Sequence, residues 1–192
     1  MSFAVALALA TSVPSFDCGK ASSNVERMIC DDELLKQSDL AVSKAYRAAA
    51  RRRVARSTAE QAAWLSRRNR CRDAACLLRS FDERLSILLP LAKIGKPLRG
   101  GEYGGALWVL PLGGNWYAFS VAAVYDPPGG VTFDAAAAGT FRLVAGKAER
   151  RPFDDRDGWS IHRLESGVWR IRCLPTETSC GGINVTLYGD YR

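Results

Sequence analysis

The residues of this chain that carry chemistry by type and spacing are arginines and cysteines. Arg47, Arg51, Arg52, Arg53 and Arg56, followed by Arg67, Arg68, Arg70 and Arg72, make one dense basic run. Clustered guanidinium groups attract phosphate and carboxylate over a Debye length and hold them bidentately. The run is therefore a candidate anion-binding surface, with Arg47, Arg51, Arg52, Arg68 and Arg70 its leading members, set against the plainer reading of a solvated helix face. The six cysteines fall into close groups, Cys18 with Cys30, Cys71 with Cys76, and Cys173 with Cys180. An even count in an exported chain reads as disulfides. Zinc would want paired two-residue gaps or histidine partners, whereas these gaps are unequal and the single histidine, His162, lies far from the first four cysteines. No metal or cofactor is expected. Local pairing within each group is the expectation, and a bridge from Cys18 or Cys30 to Cys71 or Cys76 is the alternative.

Signals for catalysis are weaker. His162 sits in a strand pattern beside Arg163, facing away from Ile161, and no serine or cysteine lies in a recognisable nucleophile turn. The stretch Asp154-Asp155-Arg156-Asp157-Gly158 has the look of a calcium loop, but its first acidic ligand and closing glutamate are not at the required offsets. A non-enzymatic protein is expected.

The elements that must position these residues divide the chain in two. Met1 to Ala10 is an apolar run ending in Ala8-Leu9-Ala10, the small-residue spacing of a signal peptidase site, so residues 1–14 read as the remnant of a signal peptide. No other stretch reaches the roughly 18 uninterrupted apolar residues that a membrane helix needs. Ser23-Asn24-Val25-Glu26 has the form of a capping box and opens a short helix to about Cys30. Asp31 and Asp32 can cap a second helix, where Leu34, Ala41, Val42, Ala45, Tyr46 and Ala49 make an apolar stripe ending near Arg53. Ser57-Thr58-Ala59-Glu60 repeats the capping pattern and opens a third helix with Gln61, Trp64, Leu65 and Arg68 on its buried edge. Leu77, Phe81, Leu85 and Leu88 mark a fourth, stopped by Pro90.

Residues 15–91 thus form a helical domain, and the glycines and proline of residues 92–101 read as a linker. Over residues 102–192 the period changes from near 3.6 to 2, as in Val168-Trp169-Ile171-Cys173 and Ile183-Val185-Leu187. Further strands are expected at Ala106–Leu112, Trp116–Tyr125, Gly139–Val144 and Trp159–Leu164. The similar tripeptides Gly101-Glu102-Tyr103 and Gly189-Asp190-Tyr191 stand as candidate first and last strands. The fold class is α+β: a disulfide-stapled helical hairpin or bundle, then a small antiparallel barrel or sandwich. Of the net charge of +7, a surplus of 6 lies between Phe16 and Lys93.

The order Cys18, Ile29-Cys30, Leu34, Asp39, Tyr46, Gln61, Trp64-Leu65, Arg68, Cys71, Cys76-Leu77, Arg84 and Leu88 resembles the N-terminal domain of the lysozyme inhibitor LprI family, small exported bacterial proteins. The chain departs from that pattern at Ser38, where leucine is usual, at Asn69, where aspartate is usual, and at Phe81, where tyrosine is common. Cys180-Gly181-Gly182-Ile183-Asn184 with Gly189-Asp190-Tyr191 is similar to the tail of longer members. The resemblance implies a periplasmic or secreted protein that covers the substrate cleft of lysozyme, where two carboxylates do the chemistry, with Arg68 and Arg70 the first candidates to reach them. Within the helical domain Asp39, Tyr46, Gln61, Trp64 and Arg84 read as core, with Asp39 pairing Arg68 or Arg84. One physical objection stands against lysozyme as partner. Common animal lysozymes are basic, so an inhibitor is expected to present acid. The alternative is an envelope interaction module that binds an anionic polymer or acidic protein through the basic helical face, with nucleic acid ranked behind both.

Overall fold

Three of the α-helices begin at a side chain that accepts from their free backbone N–H groups. A computed structural model describes residues 13–52, 58–94, 97–149, 159–173 and 187–192. A 3-10 turn, Cys18–Lys20, precedes helix α1, Asn24–Asp31. There Ser23 Oγ accepts the Glu26 N–H while the Glu26 carboxylate accepts the N–H groups of Ser22 and Ser23, closing the capping box. Asp32 caps α2, Glu33–Arg51, by accepting from Leu34 and Leu35. Asp73 caps α4, Ala74–Ala92, by accepting from Cys76. Between them lies α3, Thr58–Arg68, whose expected cap Ser57 is outside the described residues.

Pro90 does not stop α4, which runs on through it to Ala92. A proline this close to a helix end forfeits a single backbone hydrogen bond, and burial of Leu89 and Ala92 draws the last turn into the core. The helix ends instead at Lys93, which takes the left-handed conformation.

The second half is a closed antiparallel barrel in simple sequential order, not a sandwich. Its strands are β1 Leu98–Gly100, β2 Gly105–Gly113, β3 Trp116–Tyr125, β4 Phe133–Val144, β5 Lys147–Glu149, β6 Trp159–Arg163, β7 Trp169–Cys173 and β8 Gly189–Tyr191. Gly189-Asp190-Tyr191 is the last strand as expected. Gly101-Glu102-Tyr103 is the turn after the first strand, and that strand lies inside the stretch read as a linker. Closure occurs where β1 meets β8, with Gly100 opposite Tyr191. The approach requires glycine, because a Cβ on Gly100 would stand 1.7 Å from the Asp190 carbonyl oxygen. Tyr191 is fully buried there and donates its hydroxyl to the Leu187 carbonyl at 2.8 Å; burial raises its pKa to about 12. On the outer side Arg170 clamps Asp190 with two hydrogen bonds, tying β7 to β8.

Leu107, Phe119, Val121, Phe141, Ile161 and Ile171 fill the barrel interior. The opposite faces of β2 and β3 are apolar as well, and Leu110 and Ala118 belong to the same buried cluster as the helices. Helices α2 and α4 pack on the wall formed by β2, β3 and β4. Small residues allow the close approach: Ala41, Ala45, Ala48 and Ala49 on α2, and Ala138 on β4. Each fully buried Leu, Ile or Phe of such a core contributes about 1.5–3 kcal/mol.

Two disulfides staple the helical half, Cys18–Cys30 and Cys71–Cys76, so the cysteines pair locally. Cys173 ends β7, but its side chain and Cys180 lie outside what is described, as do Met1 to Ala10, Arg53, Arg56 and the acidic stretch 154–158.

Candidate functional site

The basic run does not form one surface. Arg68 turns inward, with Nη1 3.5 Å from Asp39 Oδ1 and the two side chains only 12% and 6% exposed. Asp39 Oδ2 also accepts the Ser15 N–H at 2.7 Å, so this carboxylate ties together α2, α3 and the N-terminal segment. Arg84, the other partner considered for Asp39, instead donates to Gln61 Oε1 at 2.7 Å. Both guanidinium groups lie over Trp64, at 5.3 and 5.8 Å from its ring, and the Trp64 indole N–H donates to the Ser80 carbonyl. Burial pulls both arginines below the usual guanidinium pKa, opposed by Asp39 and Glu26 at Arg68 and by Glu60 and Tyr46 at Arg84. Arg68 is thus engaged within the helical half and is not open to an external anion. Tyr46 and Gln61 are half-buried at the edge of this cluster.

Among the described residues, the exposed arginines of the run lie in two stretches of sequence. Arg67, Arg70 and Arg72 surround the turn next to Cys71. Arg47, Arg51 and Arg52 lie toward the far end of α2, where positive charge suits the helix C-terminus. Along α2, Arg47 lies about 12 Å and Arg51 about 18 Å from Asp39, the partner of Arg68. A continuous polymer can contact both stretches at once.

The barrel supplies a surface of opposite charge that the sequence reading missed. The connections Gly100–Gly105 and Tyr125–Phe133 lie at the same end of the barrel, where the rings of Tyr103 and Tyr125 meet at 5.1 Å. The charged residues of these two connections and the adjoining start of β4 are Glu102, Asp126 and Asp134, all acidic and all exposed. Asp126 accepts a hydrogen bond from Thr132 Oγ1 across the longer turn. Val124 and Val131 add exposed apolar surface beside them. The near-neutral balance of the β half, 11 Lys and Arg against 10 Asp and Glu from Gly95 onward, hides this cluster.

One further pair bears on catalysis. Ser160 Oγ and His162 Nε2 stand 2.9 Å apart on β6. Burial and the neighbouring Arg172, Lys147 and Arg170 lower the His162 pKa, which favours a neutral imidazole. Ser160 lies in a paired strand opposite Arg172, not in the sharp turn that presents a nucleophile beside backbone N–H donors. The pair is geometrically a hydrogen bond between two residues of one strand face. Among the described residues, no group of three or more His, Cys, Asp or Glu side chains is placed to hold a metal ion.

Comparison of the chain with family models, with curated proteins and with solved structures finds no match in any of the three. No helix of the described residues is long and apolar enough to cross a membrane.

Proposed function

We propose that this is an exported, non-enzymatic binding protein that inhibits lysozyme by covering its substrate cleft, in the manner implied by its resemblance to the LprI family. The observation that carries the proposal is the acidic, tyrosine-bearing end of the barrel, with Glu102, Asp126 and Asp134 beside Tyr103 and Tyr125 on a chain of net charge +7. It answers the electrostatic objection, since a basic enzyme is attracted to these acids while Arg68 of the helical half is engaged internally. Tyrosines flanked by charge are also the side chains that anchor protein interfaces. Two local disulfides support export to an oxidising compartment, periplasmic or secreted.

Charge reversal tests the assignment of the surface. Glu102→Lys with Asp126→Lys is expected to weaken complex formation with a basic lysozyme at least tenfold, while Arg51→Glu with Arg52→Glu leaves it unchanged or improves it. Equal loss from both pairs, or loss from the arginine pair alone, contradicts the acidic end as the contact.

A second reading is favoured by the two separated groups of exposed arginines. In it the protein is an envelope interaction module, with Arg47, Arg51 and Arg52 on α2 and Arg67, Arg70 and Arg72 around the turn at Cys71 binding an anionic polymer. Such binding falls steeply with salt and requires both groups. Retention on an anionic polysaccharide column at moderate ionic strength, lost in either triple substitution to glutamine, distinguishes it from inhibition.

A further inference from the structure

The end of the barrel opposite the acidic turns opens into a cavity of about 360 Å³. Strand connections Gly113–Trp116, Val144–Lys147 and Arg163–Trp169 surround this end, and the chain enters the barrel here from α4. Ile94, Leu98 and Val109 supply an aliphatic wall, and Tyr117 and Trp169 supply aromatic surface. The two rings meet edge to face at 5.4 Å, and behind them Phe141 stacks on Tyr117 at 5.8 Å, so the cavity has a rigid floor. Trp169 is 6% exposed and Phe141 1%. One charged side chain lines the cavity, Arg163, held 5.7 Å above the Trp169 ring. Among the described residues no carboxylate pairs with it.

These features define a ligand. An open concavity with aliphatic and aromatic walls, its surface about as polar as apolar, and one cation that no described carboxylate pairs, suits a molecule with a flat apolar body and a single anionic group. An eight-stranded barrel is wide enough to admit one such molecule at its mouth. The guanidinium, fixed by stacking on Trp169, can present two N–H donors to a carboxylate while the aromatic body lies against Tyr117 and Val109. We propose that the mouth of the barrel beside Trp169 is a binding site for a small aryl carboxylate, with Arg163 as the group that recognises the anion. The site is at the far end of the barrel from the surface assigned to lysozyme, and it stands whether or not lysozyme is the partner.

The test titrates the oxidised full chain, labelled with nitrogen-15, with 2-naphthoate and separately with the neutral 2-naphthamide. Naphthoate is expected to shift the amide resonances of Val109, Tyr117, Arg163 and Trp169 saturably, and naphthamide to reach the same residues about tenfold more weakly. Arg163→Gln, at an exposed position, removes that tenfold preference and leaves naphthamide binding as it was. Val109→Trp fills the mouth and removes both, in a protein whose remaining resonances are unmoved. Shifts centred elsewhere, shifts that do not saturate, or a preference for the carboxylate that survives Arg163→Gln would each overturn the assignment.

Discussion

At Trp64 two guanidinium groups share one indole, Arg68 with Asp39 beside it and Arg84 with Gln61 as hydrogen-bond partner and Glu60 acting on its charge. Asp39 and Arg68 are both nearly buried, so removing either leaves an uncompensated charge in the helical core. Arg68→Ala is expected to cost about 3 kcal/mol in a denaturant titration. Arg47→Ala, on the exposed face of α2, should change stability by less than about 0.5 kcal/mol. Glu26 gives the helical half an acid sensitivity. Its carboxylate accepts from the backbone of Ser23 and Ser22, which lowers its pKa from 4.5 to about 2. Because the folded-state value is the lower one, its contribution is complete above about pH 4.5 and is lost as pH falls toward 2. The difference in thermal midpoint between wild type and Glu26→Gln should therefore shrink steadily across that interval; a constant difference would contradict the capping box as its source. The capping box was legible because serine and glutamate at fixed spacing have one local use. The partner of Asp39 was legible only as a choice of two, since helix spacing places both Arg68 and Arg84 on inward edges and tertiary packing selects between them.

Among the elements, the staples and the barrel seam carry different loads. By loop length, Cys18–Cys30 contributes about 3 kcal/mol and Cys71–Cys76 about 2 kcal/mol. Replacing the first pair by serines is expected to lower the denaturation midpoint more than replacing the second; the reverse order would show that native-state packing outweighs loop entropy here. At the seam, Gly100→Ala drives a Cβ into the backbone of β8 and should cost about 3 kcal/mol or prevent folding. Gly104→Ala, with open space around it, then measures the backbone cost of its left-handed conformation alone. Most strands of the second half were legible from alternation and glycine turns: β3 was bounded to the residue, β4 begins at Phe133 and not at the expected Gly139, and the expected strand Ile183-Val185-Leu187 lies outside the described residues but for Leu187. Closure was legible only as a choice between barrel and sandwich, because it depends on a short β1 and β5 whose three residues are too few to show a period. Pro90 misled for a related reason. Proline marks a helix end only where no buried residue follows it, and Ala92 follows it here.

For the molecule as a whole, the helices and the barrel share one buried cluster through Leu110 and Ala118. Heating should thus melt helix and barrel in one transition, with far-ultraviolet and near-ultraviolet circular dichroism coincident, and Leu110→Ala should lower both together by about 2–3 kcal/mol. Two separated transitions would contradict a common core. The signal for this docking was present in the sequence: β2 reads Ala106-Leu107-Trp108-Val109-Leu110, apolar without alternation, as a strand buried on both faces must be. The charge map was the less visible part. Net charge located the positive surplus in the helical half, but folding buries Arg68 and brings the turn of Glu102 to the same barrel end as Asp126 and Asp134, which lie 24 and 32 residues further along the chain. The measurement that bears most directly on function is cell-wall lysis by a basic lysozyme, followed as the oxidised protein is added at low and at moderate salt. Inhibition by the acidic end predicts saturable loss of activity near equimolar amounts at low salt, weakening as salt rises. Undiminished lysis at a tenfold molar excess under both conditions would contradict it and leave the arginine groups of the helical half as the functional surface.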